Sequence, residues 1–204
     1  LAPVEAEVTL MSQLMHKNIV GYVGSERTDE ALYIFLEFCE SGTLKKYRHD
    51  FGMQTENTVA LWMRQILQGL CYLHRQGVVH RDIKGANVLL DKDSNVKLGD
   101  FGVCAQLAEN GATMQRDKTV ECCGSPYWMA PEVITSQGVI SPASDIWSLG
   151  ATCVELIQDK PMFDKLSPYQ AMFKIAQEPD MPLPQGISKH CEDFLLRCFH
   201  KDPC

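Results

Sequence analysis

Apolar residues between positions 59 and 73 constrain the fold of this chain more than any other feature. They recur at intervals of three and four residues, the pattern of an amphipathic helix: Val59, Met63, Ile66, Leu70 and Leu73. Gly77 follows as the expected C-terminal cap. A second segment, DIWSLGATCVELI (145–157), is apolar nearly all round, which predicts a helix that is buried on every side.

Strand-like segments are concentrated in the first half of the chain. ALYIFLEF (31–38) is an apolar, β-rich run that ends at the breaker ESG. NVLL (87–90) and NVKL (95–98) are shorter runs joined by the turn DKDS, which predicts a β-hairpin. Helical spacing predicts three further short helices, at 6–15, 169–177 and 189–199. The predicted fold class is α+β, with strands first and mostly helices afterwards.

Composition restricts the class of partner. With a net charge of -7 and no run of lysine and arginine, the chain lacks the local positive charge that nucleic acids and anionic membranes attract. No apolar run reaches the roughly 18 residues of a membrane span, and LAPVEAEV is not a signal sequence. The nine cysteines stand at irregular positions, which indicates buried thiols in a reducing compartment. We expect protein and small-molecule partners and a cytoplasmic location.

Four polar side chains between positions 78 and 103 match what phosphoryl transfer from a nucleotide requires. The reaction needs oxygen ligands for a divalent metal, positive charge beside the phosphate, and a group that orients the attacking hydroxyl. Asp82 and Asp100 supply carboxylates, Lys84 a point charge and Asn87 a neutral oxygen. The hairpin would bring them together, so we expect one magnesium and nucleotide centre.

The same residues belong to motifs that resemble those of eukaryotic protein kinases. In order and spacing, the motifs are HRDIKGAN (80–87), DFG (100–102), GSPYWMAPE (124–132) and SDIWSLG (144–150). HRDIKGAN with GSPYWMAPEVI looks like the MAP kinase kinase kinase and sterile-20-like branch. The tail FDKLSPYQAMFKIAQ (163–177) is similar to the septation-type relatives within that branch.

The resemblance covers essentially the whole chain and implies one domain, residues 1–204, with a protein-kinase-like two-lobe fold. Residues 1–38 would form part of the small lobe, and residues 39–204 the hinge and the mostly helical large lobe. The implied reaction is Mg²⁺-dependent transfer of the γ-phosphoryl group of ATP to Ser or Thr of a protein substrate, in a MAP kinase-type cascade.

The resemblance also implies a role for each catalytic residue. Asp82 would accept or orient the proton of the substrate hydroxyl, and Lys84 would steady the γ-phosphate. Asn87 and Asp100 would hold Mg²⁺. Lys84 within HRDxK implies Ser/Thr rather than Tyr specificity, and Ser125 would contact both Asp82 and Lys84.

Nucleotide contacts are implied in the same way. The hinge that gives backbone hydrogen bonds to adenine would be Glu37, Phe38 and Cys39, with Leu36 as gatekeeper and Leu89 under the base. For a lone leucine in an apolar run, the alternative is a simple core position. Glu7 matches the helix glutamate that pairs with a lysine of the third strand, with a solvated helix face as the alternative.

Two further implications concern the connection between the lobes. A stacked apolar column would link them, formed by Met11, Tyr22, His80 and Phe101. Asp145 would accept backbone N–H bonds from the catalytic loop, which explains a carboxylate at the start of so apolar a helix.

Parts of the family pattern are absent from the sequence. GxGxxG does not occur, and Lys17, the first lysine, follows Glu7. HKDPC stops before the arginine that would join Glu132. We therefore expect a fragment that is inactive alone and weakly stable. A pseudokinase-like scaffold or binding module is the alternative, whereas GSPYWMAPE disfavours a small-molecule kinase. An upstream kinase or scaffold would be a further partner.

The segment between Asp100 and Glu132 carries another departure. Glu121 stands where many relatives place an activating phosphothreonine. We hypothesise that Glu121 supplies a fixed negative charge toward Arg81, so that ordering of the segment depends less on phosphorylation. The alternative is an exposed acid, with regulation at Thr119 or Thr113.

Overall fold

The strands of the described residues all lie between Tyr22 and Gln106, and the rest of the described chain after them is mostly helical, as the sequence predicts. The structure, a computed structural model, describes residues 2–106, 124–135 and 141–203, with the backbone alone for residues 2–7 and 106. The helices are α1 Ala2–Gln13, α2 Leu44–Phe51, α3 Glu56–Arg75, α4 Pro131–Thr135, α5 Pro142–Gln158, α6 Pro168–Gln177 and α7 Lys189–Cys198. The strands are β1 Tyr22–Arg27, β2 Leu32–Leu36, β3 Gly42–Thr43, β4 Val78–Val79, β5 Val88–Leu90, β6 Val96–Leu98 and β7 Ala105–Gln106. A 3₁₀ turn covers Pro126–Trp128.

The strands form three small antiparallel sheets. β1 pairs with β2, β5 pairs with β3 on one side and with β6 on the other, and β4 pairs with β7. The hairpin predicted from NVLL and NVKL is confirmed, with Val88 opposite Leu98 and Leu90 opposite Val96. Asp91 stabilises its turn, because Oδ1 accepts hydrogen bonds from the backbone N–H groups of Asp93 (2.9 Å) and Asn95 (2.8 Å).

Helix α3 begins and ends at the residues that its sequence favours. The hydroxyl of Thr55 accepts a hydrogen bond from the backbone N–H of Thr58 at 3.2 Å and caps the first turn. At the other end, Gly77 has φ +69° and donates its N–H to the carbonyl of His74 at 3.0 Å, as the sequence predicts. The predicted apolar face is buried and packs against α5 and β6.

Helix α5 forms the centre of the helical part. Twelve of its 17 residues are buried, which confirms the prediction of a helix covered on all sides. Helix α7 approaches it closely at Gly150, because a Cβ atom added there would lie 2.6 Å from Cys198 Cβ. Among the helices of the described ranges, none combines the length and the apolar character needed to cross a membrane.

Several elements differ from the sequence prediction. The first helix runs from Ala2 to Gln13 rather than over 6–15, and β1, α2, α4 and the short strands β3 and β7 were not predicted. In β1 four of six residues are exposed, and α2 buries only Leu44 and Arg48, so neither has a clear apolar period. Helix α2 is instead fixed by Arg48, whose Nε donates to the carbonyl of Leu156 at 2.8 Å near the end of α5.

Candidate active site

The Asp82 carboxylate lies at the centre of a hydrogen-bond network. Its Oδ2 accepts from Lys84 Nζ and from Asn87 Nδ2, each at 2.7 Å. Its Oδ1 accepts from the backbone N–H (3.1 Å) and the hydroxyl (2.9 Å) of Ser125. Burial by itself raises the pKa of Asp82, but the hydrogen bonds from Lys84, Ser125 and Asn87 together outweigh it, so the pKa lies below its ordinary value. Asp82 is therefore an oriented, ionised carboxylate at neutral pH.

Lys84 and Ser125 also contact each other. The ammonium of Lys84 donates to Ser125 Oγ at 2.7 Å, which closes a triangle with Asp82. Ser125 belongs to the segment before the 3₁₀ turn, 43 residues after Asp82 in the chain. The structure thus brings two separate motifs, HRDIKGAN and GSPYWMAPE, to one point.

Helix α5 holds the loop that carries these groups. Asp145 is fully buried, and its two oxygens accept from the backbone N–H groups of His80 (2.9 Å) and Arg81 (2.8 Å). His74 Nε2 lies 2.8 Å from Asp145 Oδ2. Arg81 has φ +73°, a conformation that is unfavourable for a residue with a side chain, so Asp145 stabilises a strained point of the loop.

Two further anchors were missed by the sequence analysis. Glu155 Oε2 accepts from the backbone N–H of Gly85 (3.0 Å) and from Trp128 Nε1 (3.1 Å). Thr152 Oγ1 lies 3.2 Å from the carbonyl of Ile83 and 2.8 Å from that of Ser148 in its own helix, and it can donate to either. Burial raises the pKa of Glu155. The available signal was an ionisable residue inside a segment predicted to be buried on every side, because such a group needs polar partners.

Asn87 and Asp100 offer oxygen atoms suited to a divalent metal. Both N–H groups of the Asn87 amide donate to Asp82, to the backbone carbonyl at 2.9 Å and to Oδ2 at 2.7 Å, so its carbonyl oxygen points elsewhere. Gly99 donates its N–H to the Asn87 backbone carbonyl at 3.0 Å, which brings the exposed carboxylate of Asp100 to the end of the same hairpin. Two hard oxygen donors of this kind suit a divalent metal such as those that bind nucleotide phosphates.

His80 hydrogen-bonds the backbone at Asp82 and at Gly99, the residue before Asp100. Burial lowers its pKa, against the opposing charges of Asp145, Asp82 and Asp100, so the ring is neutral at pH 7. Its Nε2 lies 3.1 Å from the carbonyl of Gly99, which can only accept, and therefore carries the proton. Nδ1 accepts from the backbone N–H of Asp82 at 3.3 Å. The buried ring of His80 thus links the backbone of the loop that carries Asp82 to the backbone just before Asp100.

The expected apolar column has its members in the interior. Met11, His80 and Phe101 are buried and Tyr22 is half-buried. The rings of His80 and Phe101 have centroids 5.3 Å apart.

The residues expected to contact the nucleotide have different surroundings. Leu36 is 43% exposed, so the alternative of a simple core position is wrong for this leucine. Phe38 is exposed, Cys39 is buried and Leu89 is half-buried beside Gly99, whose added Cβ would lie 2.7 Å from Leu89 Cδ1. Leu36, Phe38 and Cys39 lie on the segment that leads from β2 to β3. Leu89 of β5 stands opposite Thr43 of β3 in the sheet.

Glu37 is oriented by contacts of its own. Its carboxylate accepts from Lys97 Nζ (2.8 Å) and from the backbone N–H of Gly21 (3.0 Å). Its backbone N–H donates to the carbonyl of Gly21 at 2.7 Å. The Glu37 side chain is therefore held by Lys97 of β6 and by the backbone just before β1.

Four of the sequence predictions depend on side chains outside the described part. They concern Glu7, Thr113, Thr119 and Glu121. Arg81, the expected partner of Glu121, is described and half-buried.

A model of the protein kinase domain matches residues 2–204. The chain belongs to the protein kinase domain family. It is 47% identical over 203 residues to "Cell division control protein 7" of Schizosaccharomyces pombe, covering all of this chain and 18% of that protein. It is 48% identical to "Cytokinesis protein sepH" of Aspergillus niger and 47% identical to "MAP3K epsilon protein kinase 1" of Arabidopsis thaliana. These two matches cover 97% and 96% of this chain and 14% of each relative.

The comparisons confirm the predicted family and branch. The chain spans less than a fifth of the length of these relatives. Its small sheets followed by a helical body agree with a partial two-lobe kinase fold. Membership of the family implies protein substrates, ATP and a divalent metal.

Proposed function

We propose that this kinase domain transfers the γ-phosphoryl group of ATP to a serine or threonine hydroxyl of a protein substrate, with Mg²⁺ as the metal. The observation that carries the proposal is the Asp82 carboxylate, held by Lys84, Asn87 and Ser125. Phosphoryl transfer depends on positioning and on electrostatic stabilisation more than on covalent chemistry by the protein. A rigid carboxylate beside an ammonium group supplies both.

In the proposed step, the substrate hydroxyl oxygen forms a bond to the γ-phosphorus while the bond from that phosphorus to its bridging oxygen breaks. The electron pair leaves with ADP, and the hydroxyl proton passes to Asp82. Because the pKa of Asp82 is lowered, it is a weak base, so it acts mainly by orienting the hydroxyl until the proton is released late in the reaction. Lys84, which already contacts Asp82, would balance negative charge on the γ-phosphate.

Asn87 and Asp100 would hold the metal. The amide oxygen left free by Asn87 and the exposed carboxylate of Asp100 support this assignment. When bound, Mg²⁺ neutralises charge on the phosphate oxygens.

Adenine recognition would use the backbone between Glu37 and Cys39. Leu36 is exposed at the start of this segment and Leu89 is half-buried, which suits a gatekeeper and a floor for a flat base. Glu7 would act through a lysine partner. In this proposal residues 1–38 serve as small-lobe elements and residues 39–204 as the hinge and large lobe.

Regulation and cellular role are proposed on the same basis. Likeness to septation-type and MAP3K proteins supports a place in a MAP kinase-type cascade, with an upstream kinase or scaffold as partner. Glu121 would act on Arg81 as a fixed charge. Five described cysteines are free thiols, which supports a cytoplasmic location: Cys39, Cys71, Cys153, Cys191 and Cys198.

The test is a phosphorylation assay on a generic protein substrate, using the protein that carries this chain. We expect Asp82→Asn to lower kcat by about 10²–10⁴-fold, the range for loss of a positioned acid or base. Asp100→Asn should raise the Mg²⁺ concentration needed for half-maximal activity, which Asp82→Asn should leave unchanged. Asp159→Asn, at the exposed end of α5, is the control. A wild-type protein without transferase activity but with partner binding would favour the scaffold alternative.

A further inference from the structure

A polar cavity of about 490 Å³ lies between the loop after α1, helix α3 and the hairpin of β5 and β6. Three cations, Lys17, Arg64 and Lys97, line it together with four amide side chains and one leucine. Of the described residues that form the wall, none carries a carboxylate and none belongs to the candidate active site. The chain has 26 acidic and 19 basic residues, so the positive charge of this wall is opposite in sign to the net charge of the chain.

Two of the three cations are available to a ligand. Lys97 is paired with Glu37 at 2.8 Å. Within the described ranges, Lys17 and Arg64 have no carboxylate at ion-pair distance, and both are exposed. The pKa of His16 is lowered, chiefly by burial and next by the positive charges of Lys17 and Lys97. The positive potential of the cavity wall therefore acts on the neighbouring His16.

Gln65 adds a donor of fixed orientation. Its Oε1 accepts from Asn18 Nδ2 at 3.2 Å and from the backbone N–H of Val96 at 2.9 Å. These bonds fix the amide so that oxygen faces the hairpin. Its NH₂ group donates to no described residue, and Gln65 lines the same cavity as Lys17 and Arg64. A donor held in place in this way loses little entropy when a ligand binds.

We infer that this cavity binds a phosphomonoester group, as carried by a phosphorylated serine or threonine side chain. The guanidinium of Arg64 offers paired N–H donors that match phosphate oxygens, Lys17 adds a second charge, and Gln65 adds a neutral donor. The cavity is large enough for a whole small ligand, so neighbouring atoms of a peptide or a sugar also fit. The inference does not depend on the proposed transferase activity.

Isothermal titration without nucleotide tests the site. The ligands are a short peptide whose only hydroxyl position is a phosphoserine, the same peptide with serine, and glucose 6-phosphate. We expect saturable binding of the phosphopeptide and none of the serine peptide. Comparable affinity for glucose 6-phosphate would support the site and assign it to small phosphate esters.

Two variants with matched controls locate the binding. Arg64→Ala should weaken it by roughly tenfold or more, as expected for a charge-assisted hydrogen bond. Gln65→Glu keeps oxygens for Asn18 and Val96 but replaces the donor by a carboxylate, so it should abolish binding. Arg75→Ala, an exposed arginine on the same helix, and Gln177→Glu, an exposed residue of α6, should leave the affinity unchanged.

The inference is overturned if the phosphopeptide does not bind the wild-type protein at millimolar concentration. It is also overturned if Arg75→Ala weakens binding as much as Arg64→Ala, since the attraction would then be a general surface effect. Thermal melting of each variant separates lost binding from lost folding, and Arg64→Ala is at an exposed position where folding should persist.

Discussion

The carboxylate of Asp145 accepts a hydrogen bond from the backbone N–H of Arg81, with 2.8 Å between Arg81 N and Asp145 Oδ1. Its second oxygen accepts from His80 at 2.9 Å. A residue 64 positions away in the chain therefore sets the backbone that leads into Asp82. The loop that carries Asp82 is therefore positioned by its hydrogen bonds to helix α5.

Asp145→Asn should destabilise the protein by about 2 kcal/mol or more and lower kcat at least tenfold. The amide oxygen can replace one acceptor, but the amide nitrogen would face a backbone N–H group, leaving two buried donors opposed. Urea unfolding and a kinase assay give the two values. Equal stability and activity of wild type and variant would mean that the loop is held by other contacts.

The Glu155 carboxylate should make stability depend on pH. Burial raises its pKa in the folded state above the unfolded value, so its favourable contribution is present at acid pH and is lost as the pH rises through the folded pKa. The stability lost on Glu155→Gln should therefore be largest at acid pH and smaller at neutral pH. Chemical unfolding of both proteins between pH 4 and 8 measures this difference. A difference that grows with pH would contradict the assignment.

The elements that the sequence predicts well are those whose burial is periodic along the chain. Helix α3 buries one face, and helix α5 is buried nearly all round. The hairpin of β5 and β6 consists of two apolar runs on either side of a turn. Strand β1 and helix α2 bury too little for such a period. Pattern alone does not reveal them.

The site was predictable to a similar degree. Asp82, Lys84, Asn87 and Asp100 lie within one short segment whose motifs are specific, so their identity was accessible from the sequence. The contact of Glu155 with Gly85 was not, because it joins residues 70 apart through the packing of α5. The ion pair of Glu37 with Lys97 likewise depends on tertiary structure.

Gly150 should tolerate no side chain. A Cβ atom there would lie 2.6 Å from Cys198 Cβ and 3.0 Å from the ring of Phe199, so α5 and α7 would have to separate. Gly150→Ala should lower the free energy of unfolding by about 1–3 kcal/mol, the usual cost of overpacking. Gly24→Ala is the control, because no atom lies within 4 Å of its added Cβ, and its effect should stay within about 0.5 kcal/mol. Similar denaturant midpoints for the two variants would disprove the close contact.

Glu121 should matter for activity through its charge. If it pairs with Arg81, Glu121→Ala should lower kinase activity roughly tenfold, the effect of losing one charge-assisted hydrogen bond. Glu121→Gln should be nearly as impaired, and Thr119→Ala should remain active. The assay uses the protein that carries this chain, treated with phosphatase so that added phosphate does not mask the effect.

Arg81 gives the matched test, because Arg81→Ala combined with Glu121→Ala should be no worse than Arg81→Ala alone when the two residues act as a pair. The backbone of Arg81 is strained and is held by Asp145 through its N–H group. Arg81→Ala keeps this N–H group and removes only the side chain, so it measures the contribution of the guanidinium charge alone. A fully active Glu121→Ala protein together with an inactive Thr119→Ala protein would reject the fixed charge and assign control of the segment to phosphorylation.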